Sequence, residues 1–372
     1  MLYTGGTTGM PKGVMYPVGA FAEFLIGMGA AGRGLTPPKN MSEYLGFIEQ
    51  IEAPPVSLPA CPLMHGTGIW LGSFLPMLLG GTVVTTSKLG LDPDLLLGQV
   101  EEYRVSDVVI VGDAFARPIL SALDAAEKRG TPYDLSTLKQ IASSGVMWSQ
   151  EIKEGLLRHH DMVLADIMGS SEGGMGSSAT TREDVKGTAK FELNEGVRVI
   201  TDDGRFVEAG SGEMGKIATS AFVPLGYYKD EEKSAATFRE VDGVRYSFPG
   251  DYATVEADGS IILLGRGSAC INTGGEKVFP EEVEEAVKRH AEVVDCLVVG
   301  VPDERFGERI VAVTSLKEGS ELTAEELIAF TTEHLSGYKT PRQILPAPEV
   351  RRGPNGKADY KWAKAFASKA IG

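Results

Sequence analysis

Residues 4–13 read TGGTTGMPKG, and the two strands expected around them decide the fold. Gly5, Gly6 and Gly9 let backbone N–H groups converge on an anion with no side chain in the way. Thr4, Thr7 and Thr8 add hydroxyls, and Lys12 adds a positive charge. The spacing approaches that of a Gly-x4-Gly-Lys-Ser phosphate loop. But Pro11 replaces the last glycine, and Gly13-Val14-Met15-Tyr16 reads as a strand where such a loop leads into a helix. A strand–loop–strand that grips phosphate is the expectation. A second cluster, Gly27-Met28-Gly29-Ala30-Ala31-Gly32, has the formal GxGxxG spacing of a dinucleotide fold. The preceding AFAEFLI reads as helix, not strand, and Pro37-Pro38 stop any long helix after it. These glycines are read as points of close packing or a bend.

The 372 residues suggest two domains, and a hydrophobic share of 42% is enough for a large core. The net charge of −15 argues against nucleic acid and anionic lipid as partners. A phosphate substrate must therefore be drawn by local groups. Cys61, Cys270 and Cys296 are far apart and form no CxxC, which points to reduced thiols in a cytoplasmic protein with no disulfide framework or zinc site. Residues 66–84 (GTGIWLGSFLPMLLGGTVV) carry no charge and are long enough for a membrane span. Their glycines, Pro76 and the strand-like TVVTT point instead to a buried helix followed by a buried strand.

Up to about residue 265, β-branched runs such as 105–112 and 197–204 alternate with helical stretches such as 121–129 and 150–159. This is an α/β rhythm with interior strands. Ser42 is a candidate cap for a short helix between the loops at 36–40 and 52–56, and Ser149 for the helix after residue 149. From about 268 the pattern changes. A helix after Pro280 has an acidic first turn and a basic end; then come a strand, the turn PDERFG, a second strand, a helix opened by Thr323 and an extended piece holding Pro346. This is an α+β unit of about a hundred residues.

Further motifs follow the loop. They are Ser144-Gly145-Val146-Met147, Met168-Gly169-Ser170-Ser171-Glu172, Gly250-Asp251-Tyr252, Gly265-Arg266, INTGGEKVFP at 271–280, and Pro354-Asn355-Gly356-Lys357. Together with TGGTTGMPKGV, this series resembles the adenylate-forming superfamily of acyl-CoA synthetases, luciferases and peptide-synthetase adenylation domains. The resemblance implies an α/β fold: a truncated large adenylation domain at 1–267, then a small mobile α+β domain at 268–372.

It also implies roles. Thr4, Gly5, Gly6, Thr7, Thr8, Gly9 and Lys12 would hold ATP phosphates. Gly145 and Val146 would border adenine, although a plain strand end before a helix explains them as well. Met168 stands where the family has an aromatic residue against adenine, and Gly169 follows it. Ser171 would touch the α-phosphate and Glu172 would bind Mg²⁺. Asp251 would accept from both ribose hydroxyls, a natural task for a carboxylate, and Arg266 would support ribose and phosphate. Lys357 would reach the carboxylate and α-phosphate during adenylation. Ser268 stands at the hinge, usually Asp or Lys, and a small residue there can absorb a dihedral change. Gly274 and Gly275 would face the site, beside the pantetheine tunnel, in the second half-reaction. His65, Met147 and Trp148 are candidates for the acyl pocket, together with Met64 and Met175; His65 reads equally well as a structural residue.

The implied reaction has two steps: ATP and a carboxylic acid give an acyl-adenylate, then CoA displaces AMP. Residues 111–118, 271–287 and 299–308, with PNGKADYKWAK near the end, look most like bacterial fatty-acyl and steroid-side-chain CoA ligases, so a lipid-like acid is expected. The family has about 100–200 further residues before the phosphate loop. The chain is therefore expected to be a C-terminal fragment, complemented by an N-terminal chain or by self-association. A non-catalytic nucleotide- or partner-binding remnant, or adenylation for a non-CoA acceptor, are the alternatives.

Overall fold

In the computed structural model, the described residues are 1–4, 11–88, 90–353 and 355–371. Short runs of β-branched residues build a parallel layer first. Its strands lie in the order Thr82–Val83, Val56–Pro59, Asp107–Ile110, Gln140–Ser144, Val163–Ser170. Val108, Val109 and Ile110 are almost wholly buried, as expected for parallel strands covered on both faces. The helix Asp113–Lys128 covers one face with Phe115, Ala116, Ile119, Leu120 and Leu123, a three-and-four spacing that makes one apolar stripe. Asp113 in its first turn and Lys128 in its last suit the helix dipole.

After Ser170 the chain reverses, and the same sheet continues with mostly antiparallel strands through Gly173–Thr180 to Asp251–Val255 and Ile261–Arg266. A small separate sheet pairs Leu2–Thr4 with Lys12–Met15, and Lys12–Met15 with Gly226–Tyr227. The strands on either side of the opening loop are therefore present. Gly5, Gly6, Thr7, Thr8 and Gly9 lie outside the described residues.

The last third forms its own five-stranded sheet. Val298 and Ala312 point to one face, under the helices Pro280–Lys288 and Ala324–Thr332. Their neighbours Leu297, Val299, Val311 and Val313 point to the other, under the helix Tyr360–Ile371. Period-two alternation along two long strands thus fills two cores at once. The molecule is α/β, with a large sheet unit and a smaller C-terminal one.

Several local expectations are met, and three are corrected. Gly27 and Gly29 lie inside the helix Val18–Ala31 and Gly32 ends it, so no dinucleotide turn exists there. A Cβ at Gly29 would stand 2.8 Å from Leu79, so close packing explains that glycine. Residues 66–84 form a π-helix at Thr67–Phe74, a helical turn at Leu75–Leu78 and the strand Thr82–Val83, which lies at the sheet edge and, against expectation, is not buried. No helix among the described residues is long and apolar enough to cross a membrane. Thr323 caps its helix with a full capping box. Ser42, by contrast, lies inside the helix Met41–Glu49, whose cap is Asn40; its Oδ1 accepts from the N–H groups of Ser42 and Glu43. Ser149 holds the N-cap position, but its hydroxyl makes no cap bond.

Candidate active site

Neighbouring parallel strands end at one rim. Val56–Pro59 leads to His65, Asp107–Ile110 to Gly112, Gln140–Ser144 to Gly145, and Val163–Ser170 to Ser171 and Glu172. Val56–Pro59 has Thr82–Val83 on one side and Asp107–Ile110 on the other, so the connections diverge there. The carboxyl ends of strands at such a switch point form the natural crevice of an open α/β sheet.

His65 is locked in that rim. Its Nδ1 lies 3.1 Å from the Thr67 hydroxyl, which in turn donates to the Ser144 carbonyl at 3.5 Å. Gly145 has φ +95°, and a Cβ there would stand 3.4 Å from His65 Cε1. Burial, then the charge of Lys357, push the imidazole down to about 4, so it is neutral near pH 7.

Glu172 is 9% exposed. The Tyr227 hydroxyl donates to its Oε1 at 2.7 Å, and its own N–H donates to the Ser170 hydroxyl. Tyr16 donates to the Ser171 carbonyl at 3.0 Å and stacks on Phe222. Lys12 sits over the Tyr227 ring, 4.8 Å from its centre. The small sheet that carries Lys12 is therefore tied to the end of the large one through two tyrosines. Burial first, and Glu172 second, raise both phenols well above the tyrosine range, so both remain donors.

Asp251 and Arg266 face each other across two antiparallel strands. Arg266 Nε donates to Asp251 Oδ1 at 3.3 Å, while Oδ2 is buried without a partner. Burial pushes this carboxyl up from its usual range despite Arg266. An orphaned buried acceptor is costly unless a ligand donor meets it, and a hydroxyl is the simplest such donor.

Lys357 comes from the far end of the chain. Gly356, with φ +74°, packs against the helix Asp113–Lys128; a Cβ there would stand 3.3 Å from Ala114 Cβ and 3.1 Å from Phe115 Cε2. Pro354 lies outside the described residues. Burial, then Arg266, lower the pKa of the Lys357 ammonium, while Glu172 and Asp251 oppose them. Lys357 thus lies within electrostatic reach of His65, Arg266, Glu172 and Asp251. The C-terminal glycine turn is not part of it: Gly274 packs on Phe306, and Gly275 meets open space. Ser268 lies in the short 3₁₀ turn Gly267–Ala269 between the two units.

Other expected site residues lie elsewhere. Trp148 is 1% exposed in the core of the parallel layer, with Lys153 Nζ 5.4 Å from its ring centre. Met168 and Met175 are buried together with Phe191 under the antiparallel strands. Met147 gives its carbonyl to the Asp113 N–H. A cavity of about 580 Å³, walled by Leu71, Leu75, Leu79, Val109, Ala142 and Ile167, has none of His65, Met147 and Trp148 in its lining. Tyr16, Thr67 and Tyr227 had no motif to mark them; only the long-range pairing of strands exposes their part.

Comparison with known proteins agrees with this geometry. The family model described as AMP-binding enzyme matches residues 1–228, and that of the AMP-binding enzyme C-terminal domain matches 282–357. A 3-oxocholest-4-en-26-oate–CoA ligase of Rhodococcus rhodochrous is 44% identical over 98% of this chain. A medium/long-chain-fatty-acid–CoA/3-oxocholest-4-en-26-oate–CoA ligase of Mycolicibacterium smegmatis is 42% identical over the same share. The chain spans 65% and 66% of the length of these two relatives. Among solved structures, the anthranilate CoA ligase AuaEII with anthranoyl-AMP superposes with TM-score 0.81 at 22% identity, over 100% of this chain and 67% of that one. MatB of Rhodopseudomonas palustris with ATP gives 0.79 at 21% identity, over 100% and 68%. By the family models that match it, this chain belongs to the AMP-binding enzyme family.

Proposed function

We propose that this chain takes part in an AMP-forming acid–thiol ligase reaction on a lipid-like carboxylic acid. The observation that supports the reading most is that Lys357, in the C-terminal unit, lies within electrostatic reach of Glu172, Asp251 and His65. In the first step a carboxylate oxygen attacks the α-phosphorus of ATP, the bond to the β-phosphate oxygen breaks, and pyrophosphate leaves. Negative charge builds on the α-phosphate oxygens. Lys357 and Lys12 supply cations fixed in advance, which is the most effective way to stabilise such charge. Asp251 Oδ2 takes a ribose hydroxyl, with Arg266 holding the other oxygen in place.

Glu172 suits a magnesium ion: one oxygen is fixed by Tyr227, and a single carboxylate plus substrate phosphates is a common magnesium donor set. When bound, the ion neutralises phosphate charge. No side chain acts as a covalent nucleophile. In the second step the C-terminal unit turns about Ser268, Lys357 withdraws, the Gly274–Gly275 turn comes forward, and the CoA thiolate displaces AMP. A soluble, cytoplasmic setting matches the acidic composition and free cysteines.

The names of the relatives, a steroid side-chain acid and medium or long fatty acids, support the lipid-like substrate. The test is mass spectrometry of thioester products from ATP, CoA and a panel of fatty, steroid and aryl acids. Acyl-CoA with the fatty or steroid acids is expected. AMP release that loads only a carrier protein, or nucleotide binding with no product, would displace the reading. A separately expressed N-terminal third of a relative, added to the same assay, tests whether another chain completes the enzyme.

A further inference from the structure

The helix Pro280–Lys288 opens the C-terminal unit and packs on the strand Ile261–Arg266 of the large one. Its second residue, Glu281, makes the contact. Glu281 Oε1 accepts from the Arg266 N–H at 3.4 Å, and Oε2 is sealed from solvent with no donor. The carboxyl lies so close over Gly265, whose φ is +134°, that a Cβ there would stand 2.3 Å from Oε2. Glycine at 265 therefore leaves room for this carboxyl. One other contact and one charge interaction cross the same seam. Gly356 presses on Ala114 and Phe115. Burial disfavours the Lys288 ammonium, but Glu285, Asp113, Asp295 and Glu284 outweigh it and raise its pKa; Asp113 belongs to the large unit.

An ionised carboxylate with a buried, donorless oxygen leaves charge uncompensated, whereas a neutral carboxyl does not. We propose that Glu281 is a positioning residue whose neutral carboxyl clips the C-terminal unit onto the Gly265–Arg266 peptide and so keeps Lys357 in the site. The inference rests on the reading of Lys357 above, but not on any activity of the chain.

The surroundings agree. Burial first, then Glu284 on the same helix, raise Glu281 to about 8; Asp251 adds to this, and the backbone N–H groups of Glu281 and Arg266 oppose it. The Arg266 guanidinium, Cys270 and the Tyr360 phenol also lie within electrostatic reach. A free glutamate titrates near pH 4.3. Closure therefore takes up a proton between about pH 4 and about pH 8. The closed arrangement is fully favoured below that window, and its advantage is lost as pH rises through it.

The test uses the full chain with spin labels on K128C and E333C, in a C270S background, and reads the distance distribution between them. The closed-to-open ratio is expected to fall at least about tenfold from about pH 5.5 to about pH 8.5. E281Q, which keeps the shape of the neutral acid, should stay closed and lose the pH dependence. E281A should be open at both pH values. A pH response in E281Q equal to that of the unmutated residue would overturn the proposal, as would an E281A chain that closes as fully. If E281A does not fold, the E281Q comparison still decides. No nucleotide or acid is needed, so a chain without ligase activity can uphold this inference, and an active one can refute it.

Discussion

The Tyr227 hydroxyl donates to Glu172 Oε1 over 2.7 Å, and with the bond from Tyr16 to the Ser171 carbonyl it joins the sheet of Lys12 to the end of the parallel layer. Glu172 is buried, so its carboxylate depends on that donor. Tyr227→Phe should cost about 1–3 kcal/mol of stability. It should also weaken the binding of magnesium and ATP, because the carboxylate would no longer be fixed. Thermal melts with and without Mg·ATP check both effects. A variant that is as stable and as strongly stabilised by ligand would contradict the assignment.

Beneath Trp148, Lys153 Nζ lies 3.0 Å from Asp166 Oδ2, and both side chains are buried. Burial pushes the Asp166 carboxyl up to about 6, with Lys153 holding it down from a still higher value. Lys153→Met strips the partner and should cost about 3–5 kcal/mol near neutral pH. The carboxyl then sheds its charge by taking a proton. The deficit should shrink as pH falls towards about 6 and level off below it, and urea melts at several pH values would reveal that trend.

Gly145 holds φ +95° against the His65 ring. Gly145→Ala should cost about 1–2 kcal/mol from backbone conformation alone. It should also move the imidazole and reduce acid-dependent turnover further than stability. A variant with unchanged kinetics would show that the ring does not border the reacting acid.

His65 itself sets an acid limit. Its folded value of about 4 lies below the ordinary 6.5, so the unfolded chain binds the proton more readily between these values. Stability should therefore be flat above about pH 6.5 and fall towards pH 4, by at most about 1.4 kcal/mol per pH unit from this group. His65→Gln should flatten that part of the stability profile. An unchanged slope in denaturant melts would assign the acid sensitivity elsewhere.

The two rhythms of the fold were legible in the chain because each follows a local rule. β-Branched runs between helical stretches gave the α/β part, and two apolar runs separated by the turn PDERFG gave the paired strands 293–303 and 307–316. Helix starts were less legible. Asn40 and Ser42 are both good caps two residues apart, and only the backbone decides between them. Motif order pointed to Glu172, Asp251, Arg266 and Lys357, which lie within electrostatic reach of one another. Tyr16 and Tyr227 carry no local signature, since their partners lie 155 and 55 residues away in sequence. Trp148 was misleading because an apolar side chain reads equally as pocket lining or as core, and here it is sealed in the core of the parallel layer. Glu281 looked like an ordinary acidic first turn, and only the closed seam gives it a partner.

The central claim is that Lys357 serves acyl-adenylate formation at this rim. ATP–pyrophosphate exchange by the purified 372-residue chain, with fatty, steroid and aryl acids and with Lys357→Ala alongside, tests it most directly. The account predicts exchange that requires a lipid-like acid and falls by at least about a hundredfold in the variant. Exchange that is absent with every acid, or undiminished by Lys357→Ala, would contradict it.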